Sequence, residues 1–77
     1  MSELKKMLNE GEKYKVLSLN HNHKSSKVLI DMGITPNSII SVVQVAPFGD
    51  PYIIKIRDYL LAVRKKDLFA IDLEIIK

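Results

Sequence analysis

The chain contains no cysteine and no tryptophan, and only three glycines. Without cysteine there is no disulfide, no thiolate metal site and no thiolate nucleophile, a composition compatible with a reducing compartment. With glycine only at positions 11, 33 and 49, no glycine-rich phosphate loop can be built. No apolar run approaches the roughly 20 residues needed to span a bilayer. The opening stretch MSELKKMLNEGEK is charged and lacks the apolar core of an export signal, so the expectation is a cytoplasmic protein that is not membrane-inserted. Charge of one sign is also scarce: 12 basic against 9 acidic residues give a net charge of +3. Only Arg57 and Arg64 offer the guanidinium favoured for bidentate phosphate contacts. Aromatics number few (Tyr14, Phe48, Tyr52, Tyr59 and Phe69), and Tyr52 shares its alternation with Ile54 and Ile56, which suits a core better than a base-stacking platform. No nucleic-acid partner is expected.

What is present is apolar patterning in short pieces. The chain has 77 residues, 47% of them hydrophobic, enough for one domain over residues 1–77 with one modest core. Ser2 as cap, with Leu4, Met7 and Leu8 at helical spacing, predicts a two-turn helix over 2–8. A strand is predicted over 14–20, where Tyr14, Val16, Leu17 and Leu19 change parity midway, as a bulge would make them. The polar stretch NHNHKSS makes a loop. Ser25 or Ser26 then caps a helix through Asp31 or Met32, with Val28, Leu29 and Met32 as its inner face. Gly33 suits the left-handed residue after the helix, and Ile34 would fold back on Leu29. Pro36 and Asn37 suit the centre of a turn. Strands follow over 39–45, 52–57 and 60–64, joined at Asp58–Tyr59, then one helical turn over 65–70 and a half-buried strand in which Ile71, Leu73 and Ile75 alternate with Asp72 and Glu74. Five strands at spacings near ten residues, with short helices, predict a mostly β protein, a small barrel.

Candidate chemistry is thin. The carboxylates are scattered and the two histidines have no cysteine beside them, so no enzyme is read. His21 and His23 at i, i+2 in an extended segment would face one side and could hold Zn or, less well, Fe(II), but two imidazoles make half a site and no cofactor is implied. Phe48 stands at the tip of APFGDP, residues 46–51, between two prolines. It is either an interface anchor or a plug over the barrel end.

Two motifs at fixed spacing carry a resemblance. Leu29-Ile-Asp-Met-Gly-Ile-Thr-Pro36 is followed by Ile39 to Val45, then Ala46-Pro-Phe-Gly-Asp-Pro51 and Tyr52 to Ile56, with Leu61 to Lys65 and Ala70 to Leu73 behind. The pattern resembles the FeoA family, small SH3-like proteins of bacterial ferrous-iron uptake, and the resemblance covers essentially the whole chain. Asn37 stands where the family usually has Gly, and Asn is the next best residue for positive φ. The resemblance implies an SH3-like five-stranded barrel with two short helices, and a non-enzymatic accessory protein whose partner is FeoB, the membrane ferrous transporter. Candidate partner contacts are an apolar patch of Met32, Ile34 and Phe48, rimmed by Lys24 and Lys27, with Asp50 bonding amides of its own loop. Two other classes stay open: a regulatory module of the kind appended to metal-dependent repressors, and a nucleic-acid-binding barrel. The alternating last strand also leaves pairing between copies open.

Overall fold

The computed structural model describes residues 8–76. The helix expected over 2–8 lies outside the described residues except for Leu8, which is buried. The elements are β1 (Lys13–Leu19), α1 (Ser26–Asp31), β2 (Ile39–Val45), β3 (Tyr52–Ile56), β4 (Tyr59–Val63), α2 (Lys65–Leu68) and β5 (Ile71–Ile76). The strands form one five-stranded sheet in the order β4-β3-β2-β1-β5, and every ladder is antiparallel. This is the mostly β, five-stranded, SH3-like architecture expected of the sequence.

Local chemistry explains each departure from regular alternation. The parity change in β1 is a register shift against β5 between Val16 and Ser18, which turns Leu17 outward while Val16 and Leu19 stay buried. A second shift, between Val42 and Gln44, interrupts the pairing of β2 with β3 and leaves Val43 exposed. Beyond the last β1–β2 pair, the segment before β1 takes over. Gly11 N–H donates to the Val42 carbonyl at 2.8 Å, Val42 N–H to the Glu12 carbonyl at 2.9 Å, and Val45 N–H to Glu10 Oε2 at 2.7 Å. These bonds satisfy backbone groups of β2 that the ladder would otherwise leave bare.

The tight connection between β3 and β4 is Arg57–Asp58, one residue earlier than the sequence suggests, with Arg57 at φ 56°. Tyr59 is therefore the first residue of β4. The alternation of β5 also ends early: Ile71 and Leu73 are buried, but Ile75 is exposed. The core is filled by Val16, Ile34, Ile40, Val42, Ile54, Ile56, Val63, Leu68 and Ile71, each almost wholly withdrawn from solvent. Burial of one such side chain contributes about 1.5–3 kcal/mol. Leu68 is the contribution of α2, which carries the chain from β4 to β5.

Candidate docking cleft and loop

Helix α1 ends as its sequence dictates. Gly33 takes φ 100°, its N–H donates to the Ile30 carbonyl at 2.9 Å, and Ile34 N–H donates to the Leu29 carbonyl at 3.0 Å. That pair of bonds is the Schellman ending, and it carries Ile34 inward. Ile34 is completely buried, so it is a core residue and not part of an exposed patch with Met32 and Phe48. After it, Ser38 N–H donates to the Thr35 carbonyl at 3.0 Å, with Asn37 at φ 77° in the turn. Asn tolerates that conformation, which explains how the turn forms without glycine.

The start of α1 differs from expectation. Ser25 is the residue before the helix, but its hydroxyl makes no cap bond. It donates instead to Asp67 Oδ1 of α2 at 2.5 Å, while the Ser26 hydroxyl donates to the Asn20 carbonyl. One end of α1 is thus tied to α2. Its other end is tied to β4, because the Tyr59 hydroxyl donates to the Met32 carbonyl. Between these two ties the helix packs on the core through Leu29 and leaves the rest of that face partly open. Of the three residues expected on its inner face, only Leu29 is buried; Val28 is 52% exposed and Met32 37%.

The space so created is a cleft of about 410 Å³ between α1 and the β4–α2 segment. Its floor is Val28, Leu29, Met32, Ala62 and Val63, and its rim carries the cations Lys24, Arg64 and Lys66. The one acid in the lining, Asp67, has its carboxylate engaged by Ser25. The cleft is therefore apolar below and positive above. Sequence reasoning found Lys24 and Met32 but missed Val28, Arg64 and Lys66, because their meeting depends on β4 and α2 lying against a helix some 40 residues earlier. Lys27 is exposed on α1 but does not line the cleft.

The APFGDP loop adjoins this cleft. Gly49 N–H donates to the Ala46 carbonyl at 2.7 Å, which makes residues 46–49 a four-residue turn, and Ala46 N–H donates to the Pro51 carbonyl at 3.1 Å. Asp50 does not bond the amides of its own loop, as the sequence led us to expect. Its Oδ1 accepts from Lys65 N–H, the first amide of α2, at 2.8 Å, and its Oδ2 lies 3.6 Å from Arg64 Nη1. Loop and cleft thus share Arg64. Phe48 projects from the turn with 99% of its surface exposed, so it is not a plug. His21 and His23 lie in a pair of turns rather than an extended segment, and His23 Nδ1 accepts from Ser25 N–H at 3.1 Å. No group of three or more His, Asp or Glu gathers at them or elsewhere among the described residues.

Residues 6–75 match the FeoA domain. The chain belongs to the FeoA family. A Fe(2+) transport protein A/Fe(2+) transporter FeoB fusion protein of Porphyromonas gingivalis is 30% identical over 69 residues, which take in 90% of this chain and 8% of the fusion protein. The chain thus spans a small fraction of that relative. A FeoA-like protein from Clostridium acetobutylicum, solved by NMR, has a TM-score of 0.88 at 29% identity, with 94% of this chain and 84% of that one covered. The FeoA of Stenotrophomonas maltophilia, crystallised with zinc and described as a procaryotic SH3 domain protein, shares the fold at a TM-score of 0.76 and 16% identity, over 90% of this chain and 86% of its own. The FeoA family is associated with ferrous iron transport, and in the Porphyromonas relative the domain is joined to FeoB in one polypeptide. Among the described residues no helix is long and apolar enough to cross a membrane.

Proposed function

We propose that this chain is a non-enzymatic accessory protein of ferrous iron uptake, that it works in the cytoplasm, and that it docks through the α1 cleft on the cytoplasmic part of FeoB. The observation that carries this reading is the uncovered inner face of α1. Val28 and Met32 sit at the helical positions that ordinarily enter a core, yet both are open to solvent in the apolar lining of the cleft. Leaving that face wet forgoes burial that each side chain would otherwise gain. A partner that inserts an apolar side chain there recovers it, and acidic groups flanking that side chain would meet Lys24, Arg64 and Lys66. A covalent FeoA–FeoB relative supports FeoB as that partner, since domains fused in one chain are commonly those that meet as separate chains elsewhere.

The test is binding of the full chain to detergent-solubilised FeoB of the same organism, with Met32→Asp and Val28→Asp compared against Val43→Asp on the outer side of β2. The cleft variants should bind about tenfold or more weakly, the scale of a buried interface anchor, and the Val43 variant as the wild type. All three positions are exposed, so the variants should retain the wild-type circular dichroism spectrum. Undiminished binding by both folded cleft variants, or no binding by the wild type in any nucleotide state, would overturn the assignment.

A further inference from the structure

A fully exposed phenylalanine is an anomaly in a chain with a small core. Phe48 is the only large apolar residue among the described ones that gives almost its whole surface to water. Its loop is built to keep it there. The turn bond from Gly49 to Ala46, the bond from Ala46 to Pro51 and the tie from Lys65 to Asp50 fix the loop at three points, so little conformational entropy remains to be lost when the tip is buried by something else. The loop's own carboxylate is held by Lys65 N–H and Arg64, and those contacts set the base of the loop against the start of α2, where Arg64, Lys65 and Lys66 are exposed. The Phe48 Cα is within about 8 Å of that of Asp50, two residues on. The aromatic tip and the cations at the start of α2 therefore lie toward one end of the molecule, and Asp50 offsets Arg64 while leaving the charges of Lys65 and Lys66.

We propose that this end of the protein rests on an anionic lipid surface, with Phe48 entering the headgroup–acyl boundary and Lys65 and Lys66 lying over the phosphates. The inference rests on the loop tip, which is not part of the cleft lining, although Lys66 also stands on the cleft rim. The choice of a bilayer over a protein follows from the shape of the tip. A hot spot on a protein needs a surrounding ring of near-neutral contacts that exclude water, and a narrow turn flanked by Pro47 and Gly49 supplies little such area. A lipid interface closes around whatever enters it, and an apolar insertion beside cations is the arrangement that binds it. With no membrane-crossing helix among the described residues, such contact would be peripheral.

The experiment uses the full chain and large unilamellar vesicles, either equimolar phosphatidylglycerol and phosphatidylcholine or phosphatidylcholine alone, read by co-sedimentation. The chain should sediment with the anionic vesicles and not with the neutral ones, and salt at about 0.5 M, enough to screen such charges, should release it. Phe48→Ser should weaken the anionic partition about tenfold. Each of Lys65→Glu and Lys66→Glu should weaken it about fivefold or more. Because the protein has no tryptophan, Phe48→Trp supplies a single indole, excited apart from the tyrosines, whose emission should shift to the blue on anionic vesicles. Binding by Phe48→Ser equal to wild type would show adsorption by charge alone and overturn the insertion. An unshifted Phe48→Trp emission would do the same. Failure to bind anionic vesicles, with FeoB binding lost in Phe48→Ser, would make the tip a protein contact and overturn the lipid assignment.

Discussion

Two glycines in left-handed conformation close two adjoining parts of this molecule, and they are there for different reasons. Gly33 ends α1 at φ 100°, and Gly49 completes the β2–β3 turn at φ 81°. A Cβ on Gly33 would run into the Tyr59 hydroxyl oxygen, whereas a Cβ on Gly49 would meet nothing within 4 Å. At the first junction the chain needs both the backbone angle and the space. At the second it needs the angle alone. The α1–β2 junction is anchored from two sides, with Ile34 driven into the core and Tyr59 bonded across to Met32. The loop is held by hydrogen bonds and the Asp50–Arg64 ion pair, and offers its one large side chain to the outside. A junction of the first kind fixes the fold, and a loop of the second kind presents a residue.

The largest expected effect tests this division directly. Ile34→Ala should destabilise the protein by about 2–5 kcal/mol, because it removes a fully buried side chain and leaves a cavity. Phe48→Ser, a loss of more atoms, should change stability by no more than about 0.5 kcal/mol, since nothing in the chain covers it. Urea unfolding of the two variants would measure both, and equal losses would erase the distinction between junction and loop.

A double-mutant cycle sharpens it at Gly33. Gly33→Ala combines about 1–2 kcal/mol of left-handed strain with displacement of the Tyr59 hydroxyl and loss of its bond to Met32, about 1 kcal/mol more. In a Tyr59→Phe background the obstructing oxygen is gone, and the next nearest atom to the new methyl is the ring Cζ at 3.7 Å, an ordinary contact. The cost of Gly33→Ala should therefore fall to the strain alone, leaving about 1 kcal/mol of coupling between the positions. Strict additivity would mean that the hydroxyl moves aside freely and that the junction is not tight.

How much of this could be read from the residues follows the range of the interactions. The Schellman ending at Gly33, the bulge after Val16 and the turn at Pro36–Asn37 are set within a few residues of chain, and each is legible in the sequence. Asp50 is not. Its partner, the Lys65 amide, is 15 residues away, and nothing in APFGDP marks the carboxylate as a clamp for α2 rather than for its own loop. The Ser25 hydroxyl goes astray for the same reason, because Asp67 competes for it with the helix it precedes. Ile34 shows two readings of one residue in conflict: folded back on Leu29, it could not also stand in a surface patch, and the packing decides for the core. The spacing of Val28, Leu29 and Met32 gives a helix face but not what lies opposite it. That face opens into a cleft whose opposite wall comes from β4 and α2, the elements to which α1 is tied at Met32 and at Ser25.

The smallest effect belongs to Gly49, and it separates angle from space most cleanly. Gly49→Ala should cost about 1 kcal/mol, the strain of an L side chain at φ 81° with no steric addition. Gly49→Asn should cost only a few tenths of a kcal/mol, because asparagine tolerates the left-handed region, as Asn37 already does in this chain at φ 77°. At Gly33 the same replacement helps only in part. Asparagine supplies the angle, but its Cβ still meets the Tyr59 hydroxyl, so Gly33→Asn should recover the strain and keep the roughly 1 kcal/mol of the obstruction. Thermal or urea unfolding of the four variants would read out the pattern. Nearly full rescue by asparagine at position 49 and partial rescue at position 33 is the result that space and angle, taken separately, require. Full rescue at both would reduce the two junctions to one kind, and would mean that Tyr59 guards nothing at the end of α1.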